Sequence, residues 1–304
     1  MNNIKIIRIL LIGLMACFFT STAFSQEKIE EKLDKPDKPV RKTFISTQLI
    51  DNQTTLNPSK GAMELMIQHR FGIVGNGISD LYGIYSSSNI RMAFQYGITD
   101  DLAVGFGTEK DGKLQDFFAK YSVLKQTKSD RMPVSVSVYA NASIDGRDKE
   151  FFGDTYRFSN RVSYFTQVIV ARKISKRISW QVAPGFAHIN AVDKVDSQNK
   201  IDTNEKEFQH DKLTLMTGGK IQLTKKMAFM AEYHHAFAVT DTHFWQEDIE
   251  PGIAFGLEIG TSTHAFQIFA SNFDKLNPEH NYIMNTNKFD SDGIHIGFNI
   301  RVQF

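Results

Sequence analysis

The stretch Gly293-Ile294-His295-Ile296-Gly297-Phe298-Asn299-Ile300-Arg301-Val302-Gln303-Phe304 alternates apolar with small or polar side chains without a break. A period of two is the mark of a strand whose two faces meet different surroundings. A soluble sheet pairs an apolar core face with a hydrated face rich in Lys and Glu. Here the second face is His, Gly, Asn, Arg and Gln, which suits a crowded polar interior, with the aliphatic and aromatic face turned to acyl chains. The stretch therefore reads as the closing strand of a transmembrane barrel, with Phe304 as the expected signal for the barrel-insertion machinery.

The same pattern recurs upstream. Met63, Leu65, Ile67, His69 and Phe71 oppose Glu64, Met66, Gln68 and Arg70; Ile90, Met92, Phe94 and Tyr96 oppose Arg91, Ala93, Gln95 and Gly97. Further segments fall at 102–108, 114–124, 134–142, 178–186, 213–223, 227–234, 253–259 and 265–271, and a less regular one at 161–173. Pro184 cannot donate to a ladder, so a bulge is expected there. Short links at 99–101, 175–177, 224–226 and 261–263 alternate with long ones at 74–89, 145–159, 191–212, 238–251 and 273–292. Only 109–113 is short where a long link is due. Periplasmic turns and extracellular loops produce this alternation, and an even strand number returns both ends to one side. The expected fold is all-β, a closed antiparallel transmembrane β-barrel of about twelve strands over residues 61–304.

Composition is compatible with this reading. Hydrophobic residues make up 41% and the formal net charge is +1, values ordinary for a soluble protein. A barrel shows lipid only every second residue, so its hydropathy averages out. The 25 Phe against 7 Pro suit lipid-facing strands. No phosphate-binding glycine loop, zinc spacing or nucleic-acid patch appears, and no cofactor or nucleic-acid partner is expected.

Lys5 and Arg8 precede an apolar run from Ile9 to Phe19, and Ala23 and Ser25 place small residues where a signal peptidase reads. Residues 1–25 are expected to be a cleaved export signal. The competing reading, a lipid anchor on Cys17, fits poorly because Met15 and the flanking Phe18 and Phe19 are odd for such a box. Cys17 is the single cysteine, so disulfides and thiolate metal sites are ruled out of the exported chain. Residues 26–60, charged and with Pro36 and Pro39 early on, form a periplasmic leader or plug segment; the pattern leaves open whether Thr43 to Gln48 add a strand or a plug.

At Lys60-Gly61, Gln68-His69-Arg70-Phe71-Gly72, Tyr96-Gly97-Ile98-Thr99-Asp100, Phe266-Gln267 and Gly297-Phe298-Asn299-Ile300, the chain resembles an outer-membrane β-barrel family of Bacteroidota, a domain of unknown function. The resemblance covers roughly 43–304 and implies a fold and an outer-membrane location. It implies no activity, so no functional residue is carried over.

With the apolar faces in lipid, the expected lumen-lining residues are Glu64, Gln68, Arg70, Arg91, Lys120, Lys220, Glu232, His234, Glu258, His295 and Arg301, joined by Gln95 and Asn299. Charges in such a wall either bias ion passage or pair across the interior and fill it. His234 and Glu232 share the inner face but are two ligands, too few for a metal; the adjacent His235 points the other way. His243, Trp245 and the acidic Glu247, Asp248 and Glu250 fall in a long loop. Ser135, Ser137 and Ser163 form no recognisable nucleophile motif. The leading expectation is a passive channel or small-solute-binding barrel in contact with outer-membrane lipid. A closed scaffold barrel that docks partners comes second, and a lipid-modifying enzyme third.

Overall fold

The computed structural model describes residues 37–41, 43–152, 156–191, 193–195, 201–206, 210–239 and 249–304. The expected export signal, His243, Trp245, Glu247 and Asp248 lie outside them. The chain divides into a unit ending at Lys38 and a second, Pro39–Phe304, which holds everything that follows.

Among the described residues fourteen strands form. They are β1 (Met63–Ile73), β2 (Asn89–Gly97), β3 (Leu102–Glu109), β4 (Gln115–Leu124), β5 (Ser135–Ile144), β6 (Val162–Lys173), β7 (Ile178–Ile189), β8 (Asp193–Val195), β9 (Ile201–Lys206), β10 (Asp211–Gln222), β11 (Met227–Ala238), β12 (Gly252–Gly260), β13 (His264–Ser271) and β14 (His295–Gln303). Twelve of them close into one antiparallel barrel, and β8 and β9 pair as a small hairpin in the loop after β7. The barrel is sealed where β14 pairs with both β13 and β1, for example Ile300 opposite Phe266 and Ile67. Closure leaves no sheet edge, which hydrocarbon demands because it offers the backbone no alternative partner. Among the described residues no helix is long and apolar enough to cross a membrane.

The two faces lie as the alternation predicts. Met92, Phe94, Phe117, Tyr121, Phe255, Phe266 and Ile268 point outward and are exposed, whereas Arg70, Lys120, Glu64 and Asp116 are buried inside. Gly105 and Gly107 stand on the inner face. A Cβ on Gly105 would collide with the Phe118 ring, and one on Gly107 with Arg91 and Asp116. His69 faces lipid, its ring stacked 4.9 Å from that of Phe298.

One expectation is corrected, at Pro184. The register shows no shift at Pro184: it sits opposite Leu215 in an unbroken ladder with β10, and toward β6 the pairs simply lapse between Gln167–Gly185 and Val170–Val182. The missing N–H is absorbed without an added residue. The irregularities fall instead at Arg70/Ile73 and Ser122/Leu124. The less regular segment forms β6, whose burial alternates, with Ser163, Phe165, Gln167, Ile169 and Ala171 inside. The long 273–292 link turns into the barrel. It carries a helix, α1 (Pro278–Met284), whose Glu279, His280, Asn281, Tyr282 and Ile283 are all buried.

A direct check of the outward face is Ile268→Arg, at a mid-strand site that is 61% exposed. Urea unfolding in liposomes should show a loss of about 2–4 kcal/mol, the cost of Arg in the bilayer midplane. A neutral effect would mean that this face meets water.

Candidate functional site

An eight-stranded barrel is already wide enough for its own side chains to fill; twelve strands leave room to spare. Two segments occupy it. Residues 43–55 enter from the end that carries the short turns. Phe44, Leu49 and Ile50 are buried, and the segment doubles back at Leu49–Asn52, where Leu49 N donates to Asn52 O over 2.8 Å. The segment, called the plug from here on, forms no strand of the sheet, and an isolated bridge pairs Gln48 with Gln53 within it. From the opposite end, the segment carrying α1 folds inward. The two meet inside the barrel: Asn281 Nδ2 donates to Asp51 Oδ2 and Tyr282 Oη to Asn52 Oδ1, each over 2.7 Å.

All eleven predicted lumen residues point inward, and most are spent on these segments. Lys120 Nζ donates to Thr47 O and Gln53 Oε1, both at 3.0 Å. Glu232 accepts the backbone N–H groups of Asp51 (3.0 Å) and Asn52 (3.3 Å). Glu258 accepts from Ser46, and Glu64 from Thr47 and from Arg301 Nη1, which lies 2.9 Å away. Arg301 also donates to Ile45 O at 3.0 Å, and Asn299 Nδ2 to Ile50 O at 2.7 Å. Arg70, fully buried, donates to Asn299 Oδ1 at 3.1 Å, approaches Asp51 at 3.6 Å and lies 4.5 Å over the Phe269 ring. His234 packs against Phe273 and Tyr282 at 5.0 and 4.5 Å. Nearer the rims, Lys220 bonds Gln222 and His295 bonds Phe71 O. Among the described residues no cluster of three His, Cys, Asp or Glu could hold a metal.

Sequence reasoning overlooked several residues. Asp116 holds Arg91 through two contacts, 2.9 Å to Nε and 2.6 Å to Nη2, while Gln68 takes Nη1 at 2.7 Å. Asp51 and Glu279 carry the plug and the helix. The signals were present. Phe44-Ile45 and Leu49-Ile50 are too apolar for a solvated leader, and Asn277-Pro278 opens a helix in a loop holding Phe273, Leu276, Tyr282 and Ile283.

The carboxyl groups on these two segments are strained by burial. Desolvation pushes Glu279 up to about 7, against the pull of the Ser143 hydroxyl and the Asn141 amide; Asp116 adds to the rise. Asp51 is raised too, with Arg70 and Asn281 drawing it back. His280 is lowered to about 4 by burial, between Asp145 and Asp111 on one side and Arg147 and Lys275 on the other. The interior is tightly packed. Two cavities beside the plug, one lined by Gln53, Arg91, Tyr139 and Gln167, the other by Gln68, Gln267 and Asn299, measure about 10 Å³ each, room for about one water.

Among solved structures, the chain is similar to the NanC porin (10% identity, TM-score 0.45, covering 80% of this chain and 98% of that one). It is also similar to the KdgM porin (8% identity, TM-score 0.42, covering 80% and 99%). No curated protein sequence matches the chain. A family model does match, over residues 44–304, described as a membrane bound beta barrel domain (DUF5777). That match takes in the plug as well as every strand, and with the closed twelve-stranded sheet it identifies the chain as a member of this family of membrane-bound β-barrels.

Proposed function

We propose that the protein is an outer-membrane passive channel for small solutes, held shut by its own plug and by the inward-folded segment carrying α1. One observation carries this reading. The charged inner wall is satisfied mainly by two segments that belong to no barrel strand, not by itself. Ion pairs between buried inner-wall residues include Arg91–Asp116 and Arg301–Glu64. Lys120, Glu232, Glu258 and Arg70 spend their hydrogen bonds or charge on the plug. A wall built only to be filled would balance its charges across itself. One whose partners sit on two loops, joined by two hydrogen bonds, is bistable: the loops leave together or stay together. Withdrawal would leave a hydrated lumen lined by Arg70, Arg91, Lys120, Glu64, Glu232 and Asn141.

Planar-bilayer recording tests this. The wild type should open rarely. Deleting 43–57 or shortening 274–286 should each give partial conductance, and both changes together steady single-channel steps. A folded double variant that stays silent contradicts the channel.

Glu232→Ala removes a charged acceptor of two plug N–H groups. Such bonds contribute about 1.5–3 kcal/mol each, so the open fraction should rise by roughly tenfold or more. An unchanged open fraction would mean the plug is not held there.

The pH response has a worked sign. Glu279 keeps its proton to about 7 when closed and to about 4.3 when hydrated. Closure therefore binds more protons and is penalised increasingly as pH rises between those values. His280, lowered when closed, acts in the opposite sense in acid. Comparison with Glu279→Gln isolates the carboxyl. Open fractions of variant and wild type should coincide near pH 4 and diverge toward pH 7.5, with the wild type more open. Parallel curves contradict the assignment.

A further inference from the structure

Glu279 sits in a cradle made almost entirely by the barrel wall. Asn141 Nδ2, on β5, donates to both carboxylate oxygens, at 3.1 and 2.9 Å. Ser143 Oγ, two residues on, donates to Oε1 at 2.8 Å, and Ser163 Oγ, on β6, reaches the same oxygen at 3.3 Å. The register fixes the donors relative to one another: Ser143 pairs with Ser163 and Asn141 with Phe165, and the two serine hydroxyls lie 2.6 Å apart. Asn277, with its amide turned to donate, adds contacts of 2.6 and 3.1 Å from the start of the helix itself. All these donors are neutral. One turn further along α1, the Tyr282 ring stacks on Phe165 at 5.2 Å, and Phe165 continues an inward row through Tyr139 (6.3 Å) to Phe118 (6.0 Å from Tyr139).

A helix needing only to fill space gains nothing from a buried carboxyl group, whose charged form is costly with no cation beside it. An apolar or amide side chain would pack there at less expense. The wall donors Asn141, Ser143 and Ser163 stand on two paired strands and converge on one carboxyl group, and the buried Asn141 Oδ1 is an acceptor with no partner among the described residues. Such a wall is shaped for a carboxylate with a flat ring beside it, and α1 presents both groups.

We propose that the inner wall of β5 and β6 is the binding site for a small solute bearing a carboxylate next to a flat ring, and that Glu279 and Tyr282 occupy it in cis in the closed barrel. The proposal rests on the channel reading and deepens it. Asn141, Ser143 and Ser163 take the carboxylate; Phe165, Tyr139 and Phe118 offer their faces to the ring. Neutral donors hold an anion less firmly than a guanidinium does, which suits a site that must release what it binds. The solute competes with the helix for the wall, so its arrival favours the open barrel by its differential affinity for the two states.

The test uses the full-length chain, refolded in detergent, and a matched pair of probes: 4-hydroxyphenylacetate and its uncharged amide. In Glu279→Ala, made together with Tyr282→Ala, both the cradle and the Phe165 face are vacated, and calorimetry should show the acid binding at least tenfold more tightly than the amide. Adding Ser143→Ala and Ser163→Ala should reduce that preference to within about twofold. The barrel with residues 274–286 shortened lacks the helix altogether and should rank the probes as Glu279→Ala with Tyr282→Ala does, which keeps the test open if that variant folds poorly. Equal binding of acid and amide in both variants overturns the proposal, as does a preference that survives loss of the two hydroxyls. Calorimetry needs no conduction, so a silent but binding barrel would refute the channel and leave the site, whereas a conducting barrel blind to the carboxylate would do the reverse.

Discussion

Everything in this structure follows from the inversion of its surface. Phe94, Phe117, Phe266 and Ile268 belong outside because acyl chains, not water, lie there. The period of a strand then forces their neighbours inward, including Arg70, Arg91, Lys120, Glu64 and Glu232, into a space where an unpaired charge costs several kcal/mol. Twelve strands are too wide for those side chains to meet across the middle. The plug and the inward-folded segment bring in what the wall lacks, largely backbone carbonyls, N–H groups and small polar side chains.

The two inserts also depend on each other. Asp51 lies between Arg70 on the wall and Asn281 on the helix, and Asn52 takes the Tyr282 hydroxyl while donating to Glu232. Removing either insert strips partners from the other. Closure from both ends is therefore cooperative, and the cost of the buried Glu279 keeps it from being irreversible. The same carboxylate links gating to recognition, since it closes the barrel by resting on donors that a solute could use.

The fold was legible because alternation is a local property: the strand pattern, the turn positions and the identity of inward residues such as Gln68 and Glu258 can be read from spacing alone. Its failures are physical. Pro184 was expected to insert a residue, but a strand can lose one N–H and keep register when β10 still pairs on its other side. Strand β6 blurred because its inward face carries Phe165 and Ile169, which join the buried apolar cluster inside the barrel. The candidate site was the least legible part. Neither the plug nor α1 repeats with any period, and Asp116, Asn141 and Ser143 acquire meaning only when a distant segment is placed beside them. The apolar residues in the leader and in the last long loop were the clue.

The inversion itself can be measured by quenching with lipids brominated on their acyl chains. In a background with Trp180 and Trp245 replaced by Phe, a single tryptophan is placed at Phe94 on the outer face or at Phe118 on the inner face of the same wall. The account predicts that the tryptophan at 94 loses most of its emission and the one at 118 retains it. Equal quenching at both positions, or quenching at 118 alone, would contradict the assignment of faces on which the plug, the gate and the binding wall are all built.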